Sequence, residues 1–183
     1  MAFISRIAAA FAVVLALAAP ALAQGISDAQ HQALSERIAS FDTAMRANDM
    51  EEVMSVVPPP VLEKVAAMFS VTVEQLIEAT QQQMDEALKT LKFESFSMEL
   101  EGVEFVTLDG GIIYGLVPTE SVIDLGEQGG KMKSTTSTLA LLDGETWYLV
   151  RIDDAQQVQI LKEVYPAFAE IEFPQGTIEP VTQ

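Results

Sequence analysis

The chain has no cysteine, one histidine and one tryptophan, and only 10 basic residues stand against 27 acidic ones. Without cysteine there is no disulfide framework, no thiol nucleophile and no lipid-modified export signal. A lone histidine, His31, leaves no Ser/His or Cys/His constellation except through itself. It also leaves a zinc site dependent on carboxylates alone, and their spacing here does not suggest one. The formal charge of −17 repels phosphate backbones and anionic lipid heads, so nucleic-acid and membrane-surface binding are disfavoured. A cationic partner is permitted by this balance without being required.

The one sustained apolar run lies at the start. "MAFISRIAAAFAVVLALAAPALAQ" places Arg6 before an apolar stretch from Ile7 to Leu17, followed by Pro20 and the small-residue triplet Ala21-Leu22-Ala23. That order predicts a secretory signal peptide over residues 1–23, because the run is too short and too weakly flanked for a permanent span. The expected location is the periplasm, with secretion beyond it as the alternative. Cleavage would leave residues 24–183, 160 residues after removing 23 from 183, with a net charge of −18 once Arg6 is gone. This suits a single α+β domain, which at that size buries roughly 70% of its unfolded surface. No later stretch is apolar enough to cross a bilayer after signal cleavage.

Helical periodicity fills the chain up to about Leu91, and strand-like alternation runs from Phe93 to Ile152. "SDAQ" has capping-box spacing, Ser27 to Gln30, ahead of a stripe of Leu34, Ile38, Phe41 and Met45. Asn48 suits the end of this helix. Asp49 then caps a short second helix through Met50, Val53, Met54 and Val57, which Pro58, Pro59 and Pro60 stop. A third helix is predicted over Val61 to Phe69. A fourth, capped by Thr72 and Gln75, is predicted to run to Leu91. "FESFSMEL", "VEFVTL", "IIYGLVPTESVID", "KMKSTTSTLALL" and "TWYLVRI" are strand segments separated by Asp-Gly and Gly-Gly turn chemistry, which favours antiparallel hairpins. The simplest arrangement packs N-terminal helices on one face of a twisted four-stranded antiparallel meander. A short C-terminal helix from Ala155 to about Val164 follows, then an extended tail from about residue 172.

Within "LALLDGETWYLVRI", an Asp143-Gly144 turn sets Leu142 opposite Glu145. One face then receives Leu139, Leu141, Tyr148, Val150 and Ile152, a core face. The other sets Ala140 opposite Trp147 and Thr138 opposite Leu149, a mixed face suited to a pocket wall or to docking another subunit.

Helices first, "FDTAMRANDMEEVMSVV" near the start, and a curved antiparallel meander ending in "LLDGETWYLVRI" resemble the nuclear transport factor two-like, ketosteroid isomerase-like group of cone-shaped α+β domains. The resemblance covers Ser27 to Ile152. It implies a conical pocket between the long helices and the sheet, and often a dimer formed across the sheet. Isomerase members of the group place a tyrosine in the first helix where this chain has Phe41, which cannot donate a hydrogen bond. The group's short strand pair after the second helix is replaced here by the helical "PPPVLEKVAAMFSVT".

The remaining chemistry is sparse. His31 reads as a helix-end surface residue. Met45, Met50 and Met54 come closest to a thioether cluster of the kind that favours reduced copper, but their positions fit soft core filling. Glu51-Glu52 and Asp153-Asp154 lie where helix caps are expected. "DLGEQGG" lacks the ligand alternation of a calcium loop, and neither "DGG" nor "GEQGG" leads a strand into a helix as a phosphate cradle must. An enzyme would draw on Tyr114, Glu120, Asp124 and Arg151 for acid or base work. The expected role is instead a non-catalytic binding module with no cofactor and no metal. It would hold an apolar small molecule or a protein partner through Phe41, Met84, Leu88, Met98, Tyr114 and Trp147. A small lyase or isomerase with a conical pocket, and a structural homodimer through the sheet face, are the alternatives. In the homodimer case Trp147→Asp is expected to give a monomer with intact helices.

Overall fold

Capping chemistry at the helix ends sets the frame. In the computed structural model, which describes residues 25–126 and 129–181, Ser27 and Gln30 form the expected reciprocal cap of α1 (Asp28–Ala47). Asn48 ends it in the left-handed region at φ 55°. The Asp49 carboxylate accepts the Glu52 amide at 3.1 Å and opens α2 (Met50–Ser55). Helix α3 (Pro59–Phe69) begins within the proline run, where absent amide donors cost nothing. Helix α4 (Val73–Ala87) starts on the Thr72–Gln75 cap and ends four residues before the expected Leu91. The segment expected to be a signal peptide, residues 1–23, lies outside the described residues.

The second half folds into a curled antiparallel sheet, so the architecture is the expected α+β one with helices first and a short helix last. Its six strands are β1 (Lys92–Met98), β2 (Phe105–Thr107), β3 (Ile113–Asp124), β4 (Lys131–Asp143), β5 (Thr146–Arg151) and β6 (Thr177–Pro180). They occupy four lanes. Strands β1 and β2 both pair with β3, at its far and near ends, and β5 and β6 share β4 in the same way. The four-stranded expectation is therefore right for the lanes, and the two outer lanes are each made of two pieces. Strand β6 comes from the extended tail, which pairs with β4.

The hairpin turn sits one residue further along than expected. Asp143 faces Thr146, so Leu142 opposes Trp147 and Ala140 opposes Leu149. Gly144, at φ 64°, takes the first turn position, and Glu145 keeps an ordinary negative φ. That pattern is the one a glycine-first hairpin turn requires. Moving the turn by one residue shifts each partner by two, so the side-chain faces survive while the predicted Ala140–Trp147 opposition does not.

Both faces of the near end are covered, rather than one. Leu139, Leu141, Val150 and Ile152 pack against Val61 of α3, against Ile160 and Leu161 of α5 (Ala155–Val164), and against Tyr165 and Phe168 in the turn that follows. On the opposite face Val117, Ala140, Leu142, Trp147 and Leu149 pack against Leu34 of α1, Val56 and Phe105. The amide of Leu149 donates to the Val56 carbonyl at 2.7 Å, which ties the outer side of β5 to the end of α2. Further along this face, the Thr119 hydroxyl donates to the Val117 carbonyl at 3.0 Å and accepts from the Thr138 hydroxyl at 2.9 Å.

Tyr165 fastens the end of α5 to the hairpin, its hydroxyl donating to Asp143 Oδ2 at 3.0 Å. Burial, and then the Asp143 carboxylate as acceptor and charge, push this phenol above the usual range. The folded protein therefore holds the proton more tightly than the unfolded chain. Its contribution is complete below about pH 10 and is lost as the pH climbs beyond that. Urea midpoints at about pH 8 and pH 11 are expected to differ less for Tyr165→Phe than for the native chain. An equal difference would assign the alkaline loss to other groups.

Candidate functional site

A cleft opens where the first lane breaks. Six residues separate β1 from β2, and after the Glu99 amide, which still bonds β3, the chain leaves the sheet until it rejoins at Phe105. The excursion turns at Gly102, φ 77°, a conformation that favours glycine. Leu100 and Val103 fold toward the Trp147 face, and Glu101 and Glu104 stay exposed. Pro118 fits the break. Its carbonyl accepts the Glu99 amide at 3.0 Å, so the side of β3 where its missing N–H would point is the side where the lane is interrupted.

Val106, Tyr114, Leu116 and Pro118 all point to the face shared with Leu139, and Glu101 and Glu104 stand beside them. Together they line an open cleft of about 320 Å³, within the range of small-molecule sites. The floor is apolar, the rim carries two carboxylates, and the lining contains no basic side chain. Tyr114 is held edge-on by Phe168, with ring centroids 5.3 Å apart at 75°. This gives the floor a fixed aromatic wall at little entropic cost.

The six residues singled out by sequence do not converge. Tyr114 lies in the cleft. Trp147 is on the opposite face, 3% exposed, its ring edge-on to Phe105 at 5.7 Å and its Nε1 donating to the Gln30 carbonyl at 2.9 Å. It is neither a pocket wall nor a docking surface, and Trp147→Asp would test folding rather than assembly. Phe41 and Met98 pack against the same cluster, with Phe41 edge-on to Phe96 at 5.5 Å. Met84 and Leu88 line a separate crevice with Phe93. Sequence reasoning missed Glu101, Glu104, Val106, Leu116 and Pro118. A proline inside a strand-like run, with Gly102 shortly before it, was the available signal of a broken lane.

The acid–base candidates also disperse. Glu120 pairs with Lys133 at 2.7 Å, and Asp124 accepts the Gly126 amide at 2.8 Å. Arg151 grips Asp153 at 2.6 Å, and this hydrogen bond holds the Asp153 carboxyl below its ordinary range. His31 is exposed at the start of α1. Among the described residues no group of three or more His, Asp or Glu could hold a metal, and no helix is long and apolar enough to cross a membrane. The chain matches no known family, no characterised protein and no solved structure.

Proposed function

We propose that this protein is an exported, non-catalytic binding module that holds an apolar small molecule in the cleft beside Tyr114. The observation that carries the reading is the apolar floor of Val106, Tyr114, Leu116 and Pro118, left open by the broken lane at a volume suited to a small ligand. The leader-like segment over residues 1–23 supports export to the periplasm. The curved meander with helices first supports kinship with the nuclear transport factor two-like group. Here, however, the space between α1 and the sheet is filled by Leu34, Val117 and Trp147, and the cleft lies on the other face. A protein partner remains the second occupant to examine, because the cleft is open rather than enclosed.

The test is a titration with a neutral apolar fluorophore, N-phenyl-1-naphthylamine, followed by methyl resonances. Shifts are expected at Leu116 and Val106 and not at Leu34 or Val117 across the sheet. Saturable binding that moves only the Trp147 face, or no binding at all, would remove the reading.

A further inference from the structure

Seven methionines lie beyond residue 23, and three of them share one crevice. Met45 comes from the last turns of α1, Met50 opens α2, and Met84 lies near the end of α4. All three line one crevice, whose remaining walls include Val53, Leu88 and Phe93. The open space among them is about 10 Å³, the size of one water molecule or one bare ion.

Methionine is the side chain best able to close an irregular gap, because it has three rotatable bonds and no branch. Here three of them surround a gap that stays open. The walls offer no carboxylate or imidazole, and Asn48 is the one lining side chain with an oxygen donor, too few for a hard cation or zinc. Thioethers are soft donors that select reduced copper. Val53 and Leu88, both half-buried, and the exposed ring of Phe93 complete an apolar surround.

Hydrogen bonds link the helices around the crevice. Asn48, on its rim, donates through Nδ2 to Asp85 Oδ1 at 2.6 Å. Asp85 Oδ1 also accepts from Gln81 Nε2 at 2.9 Å, and Gln81 Oε1 accepts the Met50 amide at 3.1 Å. This chain of bonds joins the three helices that bear the methionines. It also places one carboxylate just behind the rim, and the net charge of −17 draws cations toward the surface.

We infer that Met45, Met50 and Met84 form a three-thioether site for a single Cu(I) ion, on the face of the sheet opposite the cleft and independent of what the cleft binds. By sequence, Met45, Met50 and Met54 come closest to a thioether cluster and read as core filling. The fold replaces Met54 with Met84, 34 residues further along from Met50.

The test is anaerobic competition for Cu(I) against bicinchoninate with the purified protein. One equivalent is expected per chain. Met45→Leu and Met84→Leu, half-buried positions where a near-isosteric swap is well tolerated, are each expected to weaken binding at least about tenfold. Met68→Leu, exposed at the end of α3, is expected to leave it unchanged. X-ray absorption of the native complex is expected to show sulfur donors only, a reading that needs no variant. Failure to retain copper, retention that survives the Met45/Met84 double replacement, or nitrogen and oxygen donors around the metal would each overturn the site.

Discussion

Trp147→Ala is expected to lower the unfolding free energy by about 3–5 kcal/mol, the usual cost of emptying a buried aromatic site. That is a large part of the roughly 5–15 kcal/mol by which a domain is stable. The size of the effect follows from what the indole does. It fills the space between β5 and α1 at 3% exposure, meets Phe105 edge-on, and holds the Gln30 carbonyl of the first helical turn. Three contributions leave together: transferred apolar area, an aromatic pair and a hydrogen bond. Denaturant melts give the total. Amide exchange separates the parts, because protection over residues 28–34 is expected to fall further than protection in α5. Trp147→Phe keeps most of the packing and loses the N–H donor, so its cost is expected to be about 1–2 kcal/mol. A loss under about 1 kcal/mol for the alanine variant would mean that α1 is not seated on the indole.

Phe168→Ala is expected to match it, at about 3–5 kcal/mol, from the other side of the sheet. Phe168 is fully buried although it belongs to a single turn of helix, Pro166–Phe168. Tyr114, Tyr165 and Phe173 surround its ring with centroids 5.3, 6.3 and 6.0 Å away. Removing it leaves a cavity bounded by rigid rings, which collapse poorly, so the upper part of the range applies. There is a functional corollary. Tyr114 leans on Phe168 and also walls the cleft, so the variant is expected to bind the apolar fluorophore several-fold more weakly even where it remains folded. Unaltered affinity at a lowered denaturation midpoint would separate the cleft from the core beneath it.

These two rings show which parts of the molecule could be read from the chain. The helix ends were legible at Ser27 with Gln30, Thr72 with Gln75, Asp49, and Asp154 before Ala155, because a cap is decided within three residues by one side chain and one amide. The alternation that separates Leu139 and Leu141 from Ala140 and Leu142 was legible too, and it survived a misplaced turn. Pairings over long separations were not. Nothing near Thr177 announces that it will lie beside Thr135, and nothing near Met84 announces Met45 and Met50. The cleft escaped for a related reason. It is made by an interruption, the six residues between β1 and β2, and hydrophobic periodicity records residues that join a sheet better than residues that part from it.

The fragmented outer lanes have a consequence for life at high concentration. A bare, straight strand of backbone donors and acceptors invites a strand from another molecule. Here the outer side of β5 is occupied by the Val56 carbonyl, the remaining length of that lane is only the four residues of β6, and β1 shifts register between Phe93 and Ser95 amid Lys92 and Glu94. Among the described residues the longest outer strand is the seven-residue β1, interrupted by that register shift, so an intruding chain finds only short templates.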